Sequence, residues 1–354
     1  MKSLLDDEMN LELLKYLCSG VGVGINFSEL SRSLGKHRNT IRDRSNQLFE
    51  HKILDKPIYP FAGLWEEYPL MVISRSEFPR DKKTIQFIEN DKQIFAAFFF
   101  KEESYNTLMI EYHKDLYSYQ MWREKNFEKG EISLHDARYP SEGIYLSMKR
   151  IVKYDPRTSL KVVEENLNKQ RQTQINGYKI SSLSFQILSL LINGKGIQTN
   201  ENLLARKLGI HRRTVQRRLQ TLLAEKKISS PVCCFPRLLV PPEYMMVLSF
   251  LEIRTQKEAI LKALKKDIHI PMIIMAKVDR YNLFLVGTFY KIEDHLEWQE
   301  QLDQRFPQCI ASVKNTYLSP TMTFSIHQQY VSVEAIKSKV RSFRGKKFAD
   351  IVKT

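Results

Sequence analysis

Two segments of this chain carry, at matching positions, the side chains that read nucleic-acid bases. Residues 31–48 (SRSLGKHRNTIRDRSNQL) hold five Lys or Arg and one acid, and residues 205–222 (ARKLGIHRRTVQRRLQTL) hold six and no acid. Aligned without gaps at an offset of 174, they share eight of 18 positions, among them Leu34/Leu208, Gly35/Gly209, His37/His211, Arg38/Arg212 and Thr40/Thr214. Arginine pairs with O6 and N7 of guanine, and Asn or Gln with adenine, while Thr hydroxyls and a helix N-terminus suit phosphate. These types assign base contacts to Arg38, Asn39, Arg42, Arg213, Gln216 and Arg217, with Arg212 in the same outward set. Thr40, Thr214, Arg44 and Arg218 fall to phosphate or to bracing the turn. His37 and His211 stand where a helix cap belongs, and no Cys or second His lies at ligand spacing, which favours a cap or a phosphate contact over a metal.

The whole-chain charge supports a polyanionic partner. The 354 residues carry 55 Lys plus Arg against 40 Asp plus Glu, a formal +15. The two windows and a third at residues 337–354 together hold +16, so the remainder is net −1. Concentrated positive patches, rather than mixed signs, suit nucleic acid. Apolar residues at 43% exclude wholesale disorder. No apolar stretch approaches the ~20 residues of a membrane helix, the first ten residues have no apolar signal core, and four Cys make no disulfide framework. The expected location is cytoplasmic, on the nucleoid.

The elements that must present these arginines follow from apolar spacing. Asp6 or Asp7 caps a helix with Leu11, Leu14 and Leu17; residues 21–26 are a loop; Ser28 caps a second short helix ending at Gly35. The basic helix after it turns Ile41, Ser45 and Leu48 inward. Residues 185–226 repeat the scheme with Gly209 and an inward Val215, Leu219 and Leu222. Helix, short helix, glycine turn and basic helix is the layout of a helix-turn-helix. Residues 53–61 and 228–235 are β-rich and broken by Pro, as a wing would be.

The repeat continues beyond these windows. At an offset of 176, YNTLMIEY (105–112) mirrors YNLFLVGT (281–288), and Trp122 mirrors Trp298. Each copy then reads βαββαβ, a ferredoxin-like order with helices on one sheet face only. The bare faces are expected to pack against each other within the chain. The fold class is α+β, two copies of a winged helix-turn-helix followed by a ferredoxin-like lobe. The expected boundaries are winged helix 1–62, lobe 63–155, linker 156–182, winged helix 183–240, lobe 241–330 and a basic tail 331–354. Leu160, Val163 and Leu167 suggest one short helix in the linker.

A winged helix followed by a βαββαβ lobe resembles the leucine-responsive (Lrp/AsnC, feast/famine) family of prokaryotic transcription regulators. LGKHRNTI (34–41) and LGIHRRTV (208–215) are similar to that family's turn and recognition helix. The resemblance implies double-stranded DNA as partner, an intrachain pseudo-dimer open to further homodimerisation, and a small-molecule effector held by the second lobe. In the family an amino acid binds near the turn before the third strand, here residues 101–105 and 278–281, neither with a glycine.

The expected function is a sequence-specific transcriptional regulator with two non-identical recognition helices, not an enzyme, with no cofactor and no metal. Two alternatives share the architecture. One is a siroheme-decarboxylase-like enzyme, with His113, His269 and His295 as available side chains. The other is a nucleoid-architectural protein without sequence preference. The glycines of GVGVG (20–24) lack the preceding strand and following Lys-Ser/Thr of a phosphate loop. Cys233 and Cys234 are too close for the usual ligand spacing.

Overall fold

The computed structural model describes residues 3–100, 105–128, 141–276, 280–320 and 330–351. Asp7 starts the first long helix, α1 (Glu8–Cys18), by accepting the Asn10 N–H at 2.9 Å, and Leu11, Leu14 and Leu17 face inward. A short strand, β1 (Val23–Ile25), stands where the sequence suggests only a loop. It leads to α2 (Phe27–Leu34) and α3 (Arg38–Glu50). Asn26, not Ser28, caps α2, because its side-chain oxygen reaches the Glu29 N–H three residues on. Gly35 then ends α2 in the left-handed region at φ 60°, a turn that costs glycine little.

After α4 (Leu64–Glu67), the chain forms β2 (Leu70–Ser76), α5 (Lys82–Asn90), β3 (Ile94–Phe99), β4 (Thr107–His113), α6 (Leu116–Arg123) and β5 (Ser141–Ser147). Strand β6 (Ile151–Tyr154), helix α7 (Thr158–Asn168) and the hairpin β7 (Gln174–Ile175) and β8 (Tyr178–Lys179) connect the halves. Leu160 and Val163 of α7 are buried. The second half runs α8 (Ser182–Ile192), β9 (Ile197–Thr199), α9 (Glu201–Leu208), α10 (Arg212–Ala224), β10 (Met245–Ile253), α11 (Lys257–Lys266), β11 (Met272–Met275), β12 (Leu283–Phe289), α12 (Ile292–Arg305), β13 (Ile310–Leu318) and α13 (Tyr330–Ile351).

The strands make two main sheets, ordered β3-β4-β2-β5 and β13-β10-β12-β11-β6. Strand β6 departs from the sequence reading, which runs one strand through 144–152. A 3-10 turn at Met148–Arg150 breaks that stretch, and β6 crosses to the other sheet, where Tyr154 pairs with Met272. The inner faces of the two sheets meet: Met71, Phe98 and Ile110 share one apolar core with Met246, Phe250 and Phe284. Each such buried side chain contributes ~1.5–3 kcal/mol. The outer faces carry separate cores, with Ile88 and Met109 in one and Ile260 and Leu285 in the other.

The same local devices recur in both lobes, with Asp91, Asn106 and Trp122 repeated at an offset of 176. Trp122 Nε1 donates to Asp91 at 3.0 Å, and Trp298 Nε1 donates to Asp267 at 2.7 Å. Asn106 clamps the backbone of Phe78 through both its amide atoms, and Asn282 clamps Ile253 likewise. Buried Trp and Asn side chains need such partners, so each pair fixes one approach of helix or loop to sheet.

The N-terminal elements interlock across the halves. β1 pairs antiparallel with β9, and Gly24 faces Gln198, its own equivalent at offset 174. Helix α8 packs on α2 and α3, while α1 packs on α9. A Cβ at Gly22 would lie 2.8 Å from Leu204, and one at Gly196 would lie 2.6 Å from Leu30. Those are equivalent clashes in the two directions. Each basic helix is thus braced by the first helix of the other half, a relation no local pattern encodes.

Two segments differ from the sequence expectation. Residues 53–61 and 228–235 form no separate wings. They cross and bond to each other, with Ile58 and Val232 exchanging both backbone hydrogen bonds and the Asp55 N–H donating to Cys234 O at 2.8 Å. The C-terminal segment is no free tail either. Helix α13 buries Val331, Ile336 and Val340 and lies along α1. Lys339 bonds Glu67 at 2.6 Å, and Arg344 bonds Glu12 at 2.6 Å, so part of its charge answers acids of this chain.

Candidate nucleic-acid interface

Helices α3 and α10 are built alike. Ile41, Ser45 and Leu48 are buried in one, and Val215, Leu219 and Leu222 in the other, which turns the charged positions outward. The first turns are capped by histidine: His37 Nδ1 accepts the Asn39 N–H and His211 Nδ1 accepts the Arg213 N–H, both at 3.2 Å. The imidazole here does the work usually left to Ser or Asp. Both helix N-termini and both caps are exposed.

The arginines divide by partner. Arg218 donates to Asp7 at 2.9 Å and to Asn10 at 2.7 Å, tying α10 to α1. Arg44 donates to Tyr178 Oη at 3.3 Å, and that hydroxyl also bonds Gln47 and Ser184, tying α3 to β8 and α8. Both are therefore bracing residues. Arg212 pairs with Glu201 at 2.8 Å, and Arg42 pairs with Asp43 at 3.2 Å. Arg38, Arg213 and Arg217 are exposed, and no hydrogen bond or ion pair of their side chains occurs among the described residues. Asn39, Thr40 and Gln216 are exposed beside them, and Thr214 is half-buried. The partners of Arg44 and Arg218 lie over 130 residues away in sequence, which is why spacing alone left their role open.

The bracing role has a direct consequence. Arg218→Ala is expected to cost about 1–2 kcal/mol of stability, since one ion pair and one neutral partner are lost at a partly exposed site. Thermal denaturation reads it. An unchanged melting temperature would place Arg218 with the free cations.

The three candidate histidines of the enzyme alternative do not come together. His113 is fully buried beneath Tyr119 and Trp122 in the first lobe, with Nε2 3.5 Å from Glu111. His269 and His295 lie in the second lobe, both packed on Phe289 with ring centroids 4.8 Å from its own. Burial, and then the neighbouring His269, push the His295 pKa down to about 4. A folded-state pKa below the unfolded value means that the unfolded chain binds the proton first. Stability should therefore fall as pH drops from about 6.5 to about 4, by at most ~1.4 kcal/mol per pH unit from this residue. Urea midpoints across that range should show a shallower slope in His295→Phe. Equal slopes would assign the acid sensitivity to other groups.

Of the expected effector turns, 101–105 and 278–281, residues 101–104 and 278–279 lie outside the described residues. Among the described residues no helix is long and apolar enough to cross a membrane.

The element content and the face-to-face sheets define an α+β protein. No protein-family model and no curated protein sequence matches the chain. Solved structures do resemble it. The siroheme decarboxylase NirDL covers 96% of this chain over its full length at 11% identity and a TM-score of 0.46. Its co-complex with an iron-uroporphyrin III analogue covers 95% of this chain at 12% identity and a TM-score of 0.49. AsnC of E. coli aligns 89% of its own length with 46% of this chain, at 11% identity and a TM-score of 0.29. Likeness at this level assigns the chain neither a family nor an activity. It does overturn the expectation that the chain is not an enzyme, because the solved chains matched along nearly all of it belong to one.

Proposed function

We propose that the chain is a sequence-specific regulator that binds double-stranded DNA through α3 and α10, two unlike recognition helices held as a pseudo-dimer. On this reading the chain is a duplicated winged-helix and ferredoxin-like module, with residues 53–61 and 228–235 as crossed connectors in place of wings. The observation that carries it is the sorting of the arginines. Side chains that brace the heads point to distant partners, while Arg38, Arg213 and Arg217 stand free at the exposed N-terminal turns. Free guanidiniums beside Asn39 and Gln216 match the edges of guanine and adenine. The Thr40 hydroxyl and the helix N-termini suit the flanking phosphates.

The two heads differ in charge. Asp43 neutralises Arg42 in α3, whereas the position equivalent to Asp43 in α10 is Arg217. Helix α10 should supply more of the affinity and α3 more of the selectivity. Selection from a random duplex pool tests this: two unlike half-sites about one helical turn apart are expected. A short palindrome with identical halves would contradict it.

An enzyme acting on a tetrapyrrole is the second reading. What favours it is that, among the described residues, Nδ1 of His113 and Nε2 of His295 are buried without a hydrogen-bond partner. A visible absorption band that shifts when an iron porphyrin is added, and fails to shift in His295→Phe, would support it over the first.

A further inference from the structure

A cavity of about 280 Å³ lies between the two sheets, under the crossed connectors. Protein interiors rarely leave voids larger than a water molecule, and a dry void of ~150 Å³ already takes benzene. Its walls are rings and aliphatic chains, including Phe61, Trp65, Phe95, Tyr112, Tyr154 and Phe284, and none of the described lining residues is charged.

The repeat shows why the space exists. In one half, the Ser159 hydroxyl at the start of α7 donates to Leu239 O at 2.8 Å and sits 3.0 Å from Thr288 Oγ1, closing α7 onto the sheet. At offsets of 173, 174 and 176, the corresponding positions in the other half are Ser332 near the start of α13, Trp65 and Tyr112. All three line the cavity. Two large rings thus stand where the other half has Leu239 and Thr288. Trp65 meets Tyr154 edge to face at 5.6 Å, and Phe95 meets Tyr112 likewise at 5.0 Å, so the walls are held by ring contacts. Tyr154 and Ser229, both exposed, mark where the cavity reaches solvent.

We infer that this cavity is a binding site for a small, uncharged, ring-containing molecule of two or three rings. An unpaired charge would lose its hydration with no opposite charge in the described wall to replace it, so ionised amino acids and carboxylate-rich tetrapyrroles are poor occupants. Tyrosine and serine hydroxyls offer one or two orienting hydrogen bonds, the usual composition of a specific apolar site. The inference goes beyond the proposed function and holds whether or not the helices bind DNA. Because Pro60, Phe61 and Ser229 of the crossed connectors form part of the wall, an occupant touches the segments that join the heads to the sheets.

The test uses the full chain and N-phenyl-1-naphthylamine, an uncharged fluorescent probe. Saturable binding of one probe per chain is expected, with a blue-shifted emission and a raised melting temperature. Its relative 1-anilinonaphthalene-8-sulfonate adds a single negative charge and should bind at least tenfold more weakly. Ala62→Trp and Ser229→Trp, at the wall and the mouth, should each weaken N-phenyl-1-naphthylamine binding at least tenfold, and Glu225→Trp, outside the wall, should not. Should either filled variant fail to fold, the native chain's charge discrimination and melting shift still decide. Equal binding of the two probes, non-saturable binding, or affinities unmoved in folded wall variants would overturn the assignment.

Discussion

Arg213→Ala combined with Arg217→Ala should weaken binding to a selected duplex by ~2–6 kcal/mol, while the melting temperature of the free protein stays within about a degree. The magnitude follows from ~1–3 kcal/mol for each base-reading arginine. The constancy of the fold follows from the exposure of both side chains and their lack of partners among the described residues. Arg38→Ala should give a smaller loss, because Asp43 already lowers the field around α3. Binding to random duplex should fall much less, and preference should relax at the base pairs these residues face. Equal losses on selected and random DNA would make both residues phosphate contacts. Losses that track a lowered melting temperature would make them structural.

Phe250→Ala tests how the two halves are held, and it should cost ~3–5 kcal/mol of stability. Phe250 is 1% exposed on β10, and its ring lies 4.8 Å from that of Phe284 in the core between the sheets. Removing it leaves a void that the paired sheets cannot close without sliding past each other. Denaturant unfolding should remain a single transition with a lower midpoint, because the heads interlock with the sheets through one continuous core. Two separated transitions would show that each half folds by itself and that the face-to-face packing is incidental.

The local level of this fold is legible in the sequence, and the long-range level is not. Ile41, Ser45 and Leu48 lie on one helix face because of their spacing, and they are buried in the structure as that spacing requires. The repeated Trp122 and Trp298 also mark equivalent helices, each hydrogen-bonded to an aspartate. The exchange of α1 and α8 between the heads left no such mark. It depends on which leucine meets Gly22 and Gly196, and Leu30 and Leu204 are themselves equivalents, so the pattern fits either pairing.

The partners of the arginines were hidden for the same reason. Asp7 and Tyr178 read as a helix cap and a linker residue until the fold brings them beside Arg218 and Arg44. The C-terminal segment misled in a different way. Its many cations conceal the apolar set Val331, Ile336 and Val340, and only the fold shows that Lys339 answers Asp6 and Glu67 and that Arg344 answers Glu8 and Glu12. The crossed connectors look like strands because Pro-broken β-rich segments fit a wing as well as a pair of mutual bridges.

Fluorescence anisotropy at one fixed salt concentration, comparing a selected duplex with a scrambled duplex of the same composition, tests the proposed function most directly. A specific regulator should prefer the selected site by at least ~10³, the range that separates base readout from backbone attraction. Equal affinities would contradict sequence-specific recognition by α3 and α10.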